Sequence, residues 1–389
     1  MTQTLALFLD AYRELNSKKL FWITLTLSVL IVAGFAMVGL NDKGLTFLWW
    51  EFELPVLNTT FIPKELFYKF IFAQLGVPIW LTWVATILAL VSTSSIFPDF
   101  LASGSIELTL SKPISRVRLF LTKFATGLLF VGLQVFVFSF ACFLLIGIRG
   151  GAWEWRLFLA VPVVLLFFSY LFSIQSFFGL VTRSTIASLL LTLLIWFALF
   201  ALNTTENIFL SQREAAALTL ERTTKRLERA EKVAKDMLEK KKAAGESVLA
   251  DGKLPEGADD ELEAVSMPLR IVRDSQRDAE KSARDWRSYH TYAFAAKTLL
   301  PKTSETIGLL DRYVINEEDR QILRRFQDET DDRRRRGDDE RARMGDPDVT
   351  RRTEDVMLTR STTWVLGTSI VFTCLVLGVS CIIFTRRDF

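Results

Sequence analysis

The amino-acid sequence predicts an all-α polytopic membrane protein with one large polar insertion. Two observations predict this class. Half of the 389 residues are apolar and 23% are charged, yet the two kinds are segregated along the chain. Residues 204–362 contain 32 of the 47 basic and 34 of the 44 acidic residues. Because that block has a net charge of only −2, nucleic-acid binding through bulk positive charge is excluded.

Six stretches without a charged residue locate the membrane spans. A helix of about 20 apolar residues crosses a hydrocarbon core of roughly 30 Å. The stretches of sufficient length are Leu20–Leu40, Phe70–Phe97, Phe124–Ile148, Leu157–Thr182, Ser184–Thr205 and Ser361–Thr385. The first stretch lacks a small-x-small cleavage site, so it is interpreted as a span and not as a cleavable signal peptide.

Basic residues in the short loops predict the orientation of the chain. With the N-terminus in the cytoplasm, the inside segments contain ten basic residues and the outside segments contain five. Both termini are then cytoplasmic, residues 204–360 are extracytoplasmic, and the expected location is the plasma membrane (in a bacterium, the inner membrane). One alternative stays open. If the fourth and fifth spans, separated by Arg183 alone, formed a re-entrant hairpin, the insertion would be cytoplasmic.

Residues 1–19 predict an amphipathic helix on the cytoplasmic membrane surface. A 3-4-3 spacing places four apolar residues on one helical face: Leu5, Phe8, Tyr12 and Leu15. A simple extension of the first span is the alternative.

Two series of residues at heptad spacing predict an antiparallel coiled-coil hairpin within the insertion. The first series is Leu220, Thr223, Leu227, Ala230, Ala234 and Met237. The second is Val265, Leu269, Val272, Gln276, Ala279, Ala283, Trp286, His290 and Ala293. The chain's one histidine is therefore interpreted as a seam residue. The seam contains little Leu or Ile, which suggests an extracytoplasmic protein partner, and a solvated helix pair without a partner is the alternative.

The cytoplasmic segment 98–123, between the second and third spans, is the main candidate for a functional site. Pro98 is expected to stop the incoming helix, and Ser105 and Pro113 are placed to begin and end a short helix that would lie parallel to the membrane. Glu107 and Leu108 on that helix suit docking on another protein. A basic anchoring loop that docks nothing is the alternative reading.

This segment resembles the cytoplasmic loop of type-2 ABC exporter permeases. From Gly104 to Arg116 it reads GSIELTLSKPISR, and Lys123 follows. Permeases of that family show a similar stretch that begins with glycine and ends in Pro-Ile-Ser-Arg, before a lysine that opens their third helix. The six-span layout also matches, over residues 1–203 and 361–389. The resemblance implies that the loop couples to an ATP-binding subunit, and the candidate contact residues are Glu107, Leu108, Lys112, Pro113 and Arg116.

The resemblance further implies a transporter of at least two components. The sequence contains no G-x-x-x-x-G-K-[ST] motif, so the chain is predicted to be no enzyme and to hold no cofactor or metal. ATP and Mg²⁺ would belong to the separate ATP-binding cassette subunit. Two membrane subunits are implied, as a homodimer or a pair with a homologous permease. The insertion at 204–360 departs from the family pattern, and the substrate is not predicted.

Gln134 and Gln175 are the most polar side chains far from the ends of the spans. They are candidates for a translocation path or for contacts between helices, and membrane lipids are expected around the spans. The spans contain no ionisable Asp, Glu, Lys or Arg, which argues against an ion-coupled carrier. Two other functions stay open. The first is an ABC-like mechanotransmitter, and the second is a membrane-anchored scaffold. Either one would act through the coiled coil on an envelope partner.

Overall fold

A computed structural model of the chain describes residues 19–53, 58–101, 115–245, 254, 259–336 and 346–386. The side chains of residues 327–336 lie outside this description. The predicted surface helix falls almost wholly outside the described residues, as do Glu107, Leu108, Lys112 and Pro113 of the predicted coupling loop.

The regular structure of the described part of the chain is helical except for three short strands. In chain order its helices are α1 (Lys19–Met37), α2 (Lys64–Leu101), α3 (Arg116–Gly150), α4 (Trp155–Thr182), α5 (Thr185–Ala243), α6 (Glu261–Val265), α7 (Met267–Thr298), α8 (Thr303–Val314), α9 (Glu317–Arg336), α10 (Pro347–Thr359) and α11 (Thr362–Arg386). Six of these described helices, α1 to α5 and α11, are long and apolar enough to cross a membrane. A multi-pass, predominantly helical membrane protein is thereby confirmed.

Two local features form the hinge between the fourth and fifth spans: a backbone conformation and a hydrogen bond. Arg183 adopts a left-handed conformation with φ of 54°, which ends α4. The hydroxyl oxygen of Ser184 then accepts a hydrogen bond from the N–H of Ala187 at 3.3 Å, which begins α5. The two helices have 28 and 59 residues, so each is long enough to cross the membrane by itself.

A three-stranded antiparallel sheet follows the first span, and the sequence analysis did not predict it. Its strands are β1 (Val38–Asn41), β2 (Gly44–Phe47) and β3 (Trp50–Glu53), in the order β1-β2-β3. The first predicted span ran to Leu40, whereas the helix ends at Met37. The last three residues of that apolar stretch therefore belong to a strand.

The chain divides into two compact units. The membrane unit contains Met1–Ala201, Leu299–Ala342 and Ser361–Phe389. The charged unit contains Leu202–Thr298 and Arg343–Arg360. The sequence predicts 204–360 as one insertion, whereas the contacts of α8 and α9 assign these two helices to the membrane unit.

Contacts within the membrane unit define two ends of the helix bundle. We call the end where α2 meets α3 the loop end, and the end that contains the sheet the insertion end. At the loop end, the last turn of α2 meets the first turn of α3, and the ring centroids of Phe97 and Phe120 are 4.9 Å apart. At the insertion end, the hydroxyl of Tyr68 on α2 donates to the carbonyl of Val38 at 2.9 Å. The described residues that flank the predicted coupling loop, Leu101 and Ser115, therefore lie at the end of the bundle opposite to the sheet.

Helix α8 packs into the insertion end of the bundle, against α4 and α11. The backbone N–H of Lys302, just before α8, donates to the hydroxyl of Ser369 at 2.9 Å. Ser369 lies about two turns inside α11, so the chain enters the bundle at this point before α8 leads outwards again. The inner face of α8 is apolar and buried, with Ile307, Leu310 and Val314 in the core.

The charged unit contains the charged part of α5, together with α6, α7 and α10. Arg273 near the start of α7 bonds to Glu231, whereas His290 near its end contacts Glu206, so α5 and α7 are antiparallel. Five residues of the predicted seam on α7 are buried: Leu269, Ala279, Ala283, His290 and Ala293. On α5, Ala234 of the predicted series is buried and four members are partly exposed, whereas the prediction was wrong for Met237, which is 45% exposed.

Candidate functional site

A cluster of six phenylalanines lies at the loop end of the membrane unit, where the predicted coupling loop begins and ends. We call it the loop-base cluster, and its members are Phe97, Phe100, Phe120, Phe124, Phe172 and Phe384. They come from four helices, because α2 contributes two, α3 two, α4 one and α11 one. All six side chains are buried.

Ring contacts connect the loop-base cluster without a gap. Phe172 on α4 lies between Phe97 and Phe124, with centroid distances of 6.2 and 4.9 Å. Phe384 on α11 lies 6.0 Å from both Phe100 and Phe120. Such separations are those of attractive aromatic pairs. The end of α2 and the start of α3 are therefore joined through rings of α4 and α11.

A close helix approach holds this cluster together. Gly127 on α3 faces Phe172, and a Cβ atom at position 127 would lie 2.5 Å from the ring. Only glycine therefore permits this distance between α3 and α4. A larger residue at 127 would displace the ring that connects the cluster.

Arg116 is the one candidate coupling residue that the structure describes. It lies in the first turn of α3, which begins where the Ser115 hydroxyl accepts the N–H of Arg118 at 3.3 Å. Its Nη1 donates to the carbonyl of Thr385 at 3.1 Å, in the last turn of α11. A cation bonded to a C-terminal carbonyl also complements the helix dipole. This contact attaches the start of α3, just after the loop, to the end of the sixth span, so Arg116 anchors α3.

Gln175 acts as a contact between helices. It is 2% exposed, and its Nε2 donates to the carbonyl of Leu90 at 2.9 Å. Its Oε1 accepts from the Thr93 hydroxyl at 3.1 Å. Both polar ends are thus satisfied between α2 and α4, which favours the helix-contact alternative for this residue.

Gln134 has a different environment. It is 5% exposed, and its Nε2 has no hydrogen-bond partner among the described residues. Beside it lies a small cavity with about 10 Å³ open to the centre of a water molecule, lined in part by Ser28 and Thr86. Such a volume holds about one water. Gln134 is therefore one interior side chain that could bind a water molecule or another small polar ligand.

A buried cation, Lys69, lies at the insertion end of the bundle, and no pattern in the sequence indicated its burial. Its Nζ lies 2.5 Å from a Glu65 oxygen, 2.8 Å from Glu154 and 3.4 Å from Asp319. Lys69 thereby connects α2, the segment before α4 and the start of α9. The partners lie up to 250 positions away in the chain, so no sequence pattern indicates them.

The charged unit contains a second buried cluster, centred on Glu206, which we call the Glu206 cluster. Glu206 is fully buried, and its carboxylate lies 3.0 Å from His290 Nε2 and 3.0 Å from Lys297 Nζ. Arg360 adds a hydrogen bond at 3.3 Å through Nη1 and a second, closer one through Nη2. The cluster joins α5 and α7 to the residue that follows α10. Its heptad position correctly predicted that His290 is buried, but not that it bonds to a carboxylate.

The charges around Glu206 determine its ionisation. Burial by itself raises the pKa of a carboxyl group, because it removes water from the charged form. Here the hydrogen bonds from His290 and Arg360, with the positive charge of Lys297, outweigh burial and hold the pKa of Glu206 well below its ordinary value. Arg213 donates to Nδ1 of His290 at 3.4 Å, which leaves Nε2 to donate to the carboxylate. Among the described residues, no group of three or more His, Cys, Asp or Glu side chains is placed to hold a metal ion.

Comparison of the chain with protein-family models, curated proteins and solved structures finds no match.

Proposed function

We propose that this chain is the membrane-embedded permease subunit of an ABC exporter and works with a separate ATP-binding subunit. The loop-base cluster is the observation that carries the proposal. Close-packed side chains move together, because an interior of this density has little free space to absorb a displacement. A force applied to the coupling loop would therefore reach α2, α3, α4 and α11 together. The resemblance of the loop to that of type-2 ABC exporter permeases is a second support.

The proposal assigns a side of the membrane to each end of the bundle. The loop end faces the cytoplasm, where ATP is available, and the insertion end faces outwards from the plasma membrane. The excess of basic residues in the predicted inside loops supports this orientation. The opposite locations of the loop and of α8 within the bundle agree with it. Both termini are then cytoplasmic.

A second membrane subunit completes the proposed transporter. The three spans α1, α5 and α11 are the least buried of the six, with 22%, 22% and 17% of their apolar windows inside the chain. A single chain therefore leaves these helices free to contact lipid or another permease. We propose a two-fold arrangement of two copies, or of one copy and a homologous permease.

Co-purification from native membranes tests docking of the ATP-binding subunit. We expect a protein with its own phosphate-binding loop to co-purify with the chain, and we expect Glu107→Arg and Leu108→Asp each to release it. Loss of a desolvated charge pair costs about 2–5 kcal/mol, whereas loss of an exposed pair costs about 0.2–1 kcal/mol. The matched control is Glu51→Arg, an exposed charge reversal on the sheet at the opposite end of the bundle.

Arg116→Ala provides a second control for the same experiment. Because Arg116 bonds to the end of α11, its removal should lower the thermal stability of the membrane unit. Co-purification of the ATP-binding subunit should change little. Unchanged co-purification and ATPase activity for Glu107→Arg and Leu108→Asp, at equal membrane expression, would overturn the proposal. The loop would then be only an anchor.

A mechanotransmitter is the second candidate function, and one observation favours it. Helix α5 continues without a break from its apolar part into its charged part, over 59 residues. A continuous helix is suited to carry motion from the spans to an envelope partner of the charged unit. ATPase activity that responds to a substrate in vesicles containing only the permease and its ATP-binding subunit favours the exporter. If activity requires an extracytoplasmic protein instead, the mechanotransmitter is favoured.

A further inference from the structure

The turn between β2 and β3 lies beside the end of the first span. Strand β1 leads away from α1, and β2 returns antiparallel to it, so that Phe47 lies opposite Val38. The backbone N–H of Leu48 then donates to the carbonyl of Met37, the last residue of α1, at 2.8 Å. The turn therefore returns to the depth at which the apolar helix ends.

The residues of this turn are unusual for a hairpin in water. Two-residue turns generally place Gly, Asn or Asp where φ is positive, because a Cβ atom is strained there. Here Leu48 has φ of 57°, and the turn reads Phe47-Leu48-Trp49-Trp50. The chain thus accepts backbone strain to keep large apolar side chains at this position. Such strain persists where the surrounding structure enforces it, and it is frequent at functional sites.

The apolar side chains of the turn point away from the core. Trp49 is 78% exposed, Trp50 is 61% exposed and Leu48 is 47% exposed. The opposite end of the same sheet is polar, because its turn contains Asp42 and Lys43. The sheet therefore has an apolar end beside the first span and a polar end away from it.

Other exposed tryptophans lie at the same end of the bundle. Trp153, between α3 and α4, and Trp155, the first residue of α4, are 55% and 70% exposed. Arg149 at the end of α3 approaches Gly39 of β1, which places the two regions side by side. Tryptophan is enriched where a membrane protein crosses from hydrocarbon to headgroups.

We propose that residues 47–50, which we call the aromatic turn, insert into the headgroup–acyl boundary of the bilayer at the insertion end. The occupant of this surface is lipid, because the turn continues the apolar surface of α1 at the depth where that helix ends. Insertion would hold the sheet against the membrane and fix the outer end of the first span. This inference depends on the membrane unit alone and not on the identity of the energy source.

Spin labels at two positions of the same sheet test the proposal in the full chain reconstituted in lipid nanodiscs. One label replaces Trp49, and the control label replaces Lys43 in the polar turn. Cys374 and Cys381 are first changed to serine, and Cys142 is buried, so that the introduced thiol is the reactive one. Oxygen concentrates in lipid and a nickel chelate stays in water, so the ratio of their collision rates reports depth. We expect a ratio at least several-fold higher for position 49 than for position 43.

Two outcomes would overturn the proposal. Equal access of the nickel chelate to both positions would place the aromatic turn in water. Protection of position 49 from both colliders would mean that protein, such as a second copy of the chain, covers it.

A double variant separates lipid contact from turn geometry. Leu48→Gly with Trp49→Ser supplies residues that a strained hairpin turn favours. Thermal stability in detergent should therefore stay level or rise. Quenching of the protein's tryptophan fluorescence by brominated lipid should fall, whereas the control Lys43→Ser should leave it unchanged. Undiminished quenching in the double variant would contradict lipid insertion.

Discussion

Glu206→Gln removes one charge from the centre of the charged unit and keeps the shape of the side chain. The carboxylate is fully buried and accepts hydrogen bonds from groups on α7 and after α10. In the variant, Lys297 and Arg360 keep their positive charges in the same buried place. Lys297 retains a bond to Asn203, and the guanidinium of Arg360 retains a contact with the ring of Phe294 at 5.5 Å. Neither contact replaces the lost negative charge.

The expected cost follows from that arrangement. Removal of one member of a buried ion pair destabilises a protein by about 3–5 kcal/mol, because the other member is left without compensation. At 1.36 kcal/mol for each factor of ten, this corresponds to an opening equilibrium about 150- to 5,000-fold larger. The effect should be local to the helices that the Glu206 cluster joins.

Hydrogen exchange of the full chain in nanodiscs measures this local opening. We expect faster exchange in the last turns of α7 and of α10, with little change in α4. The matched control is Glu221→Gln, because Glu221 pairs with Lys225 and Arg352 at an exposed site on the same helix. That variant should change the hydrogen-exchange rate by less than about tenfold. An increase below tenfold for Glu206→Gln as well would refute the view that the buried carboxylate holds the three helices together.

Four further predictions concern pH and three other buried groups. The folded pKa of Glu206 lies below its ordinary value of 4.5, so its stabilising contribution should persist from pH 7 to about 5 and be lost as pH falls through the folded pKa, which exchange at stepped pH would detect. Gln175→Leu should destabilise the membrane unit by about 1 kcal/mol in detergent unfolding, because two hydrogen bonds between helices are lost. Gln134→Leu should leave stability unchanged or raise it, because an unpaired buried amide is removed, and loss of transport despite full stability would place that residue on the path. Lys69→Met should lower the free energy of unfolding by about 3 kcal/mol and speed hydrogen exchange at the start of α9. Unchanged hydrogen exchange beside Asp319 would contradict the view that this cation connects α9 to α2.

The apolar stretches predicted the six membrane helices well, because crossing hydrocarbon requires a nearly continuous apolar composition that is visible in the sequence. The ends of the helices were less predictable. The second predicted span begins at Phe70, whereas α2 begins at Lys64. The prediction started too late because the first two turns of α2 contain charged residues, Glu65 and the buried Lys69. A charged residue in the sequence marked the edge of the span, but its burial depends on partners from distant segments.

The sheet after the first span could not be distinguished from the span itself. Val38, Gly39 and Leu40 continue the apolar composition of α1, and four-residue strands are too short to show an alternating pattern. What makes them a strand is the pairing with β2, which is a contact between segments. The same holds for the aromatic turn, whose position beside Met37 follows from the register of that pairing.

The sequence by itself determined the membrane class, the six spans, the charged insertion and the buried face of α7, since each depends on composition or periodicity along one segment. Only the tertiary structure decided which distant side chains meet: the six rings of the loop-base cluster, the carboxylates around Lys69 and the cations around Glu206. It also assigned α8 and α9 to the membrane unit, although they lie within the predicted insertion. The physical reason is the same in each case. Hydrophobic transfer into a bilayer is a property of a single segment, whereas a buried charge is stable only when partners from other segments surround it.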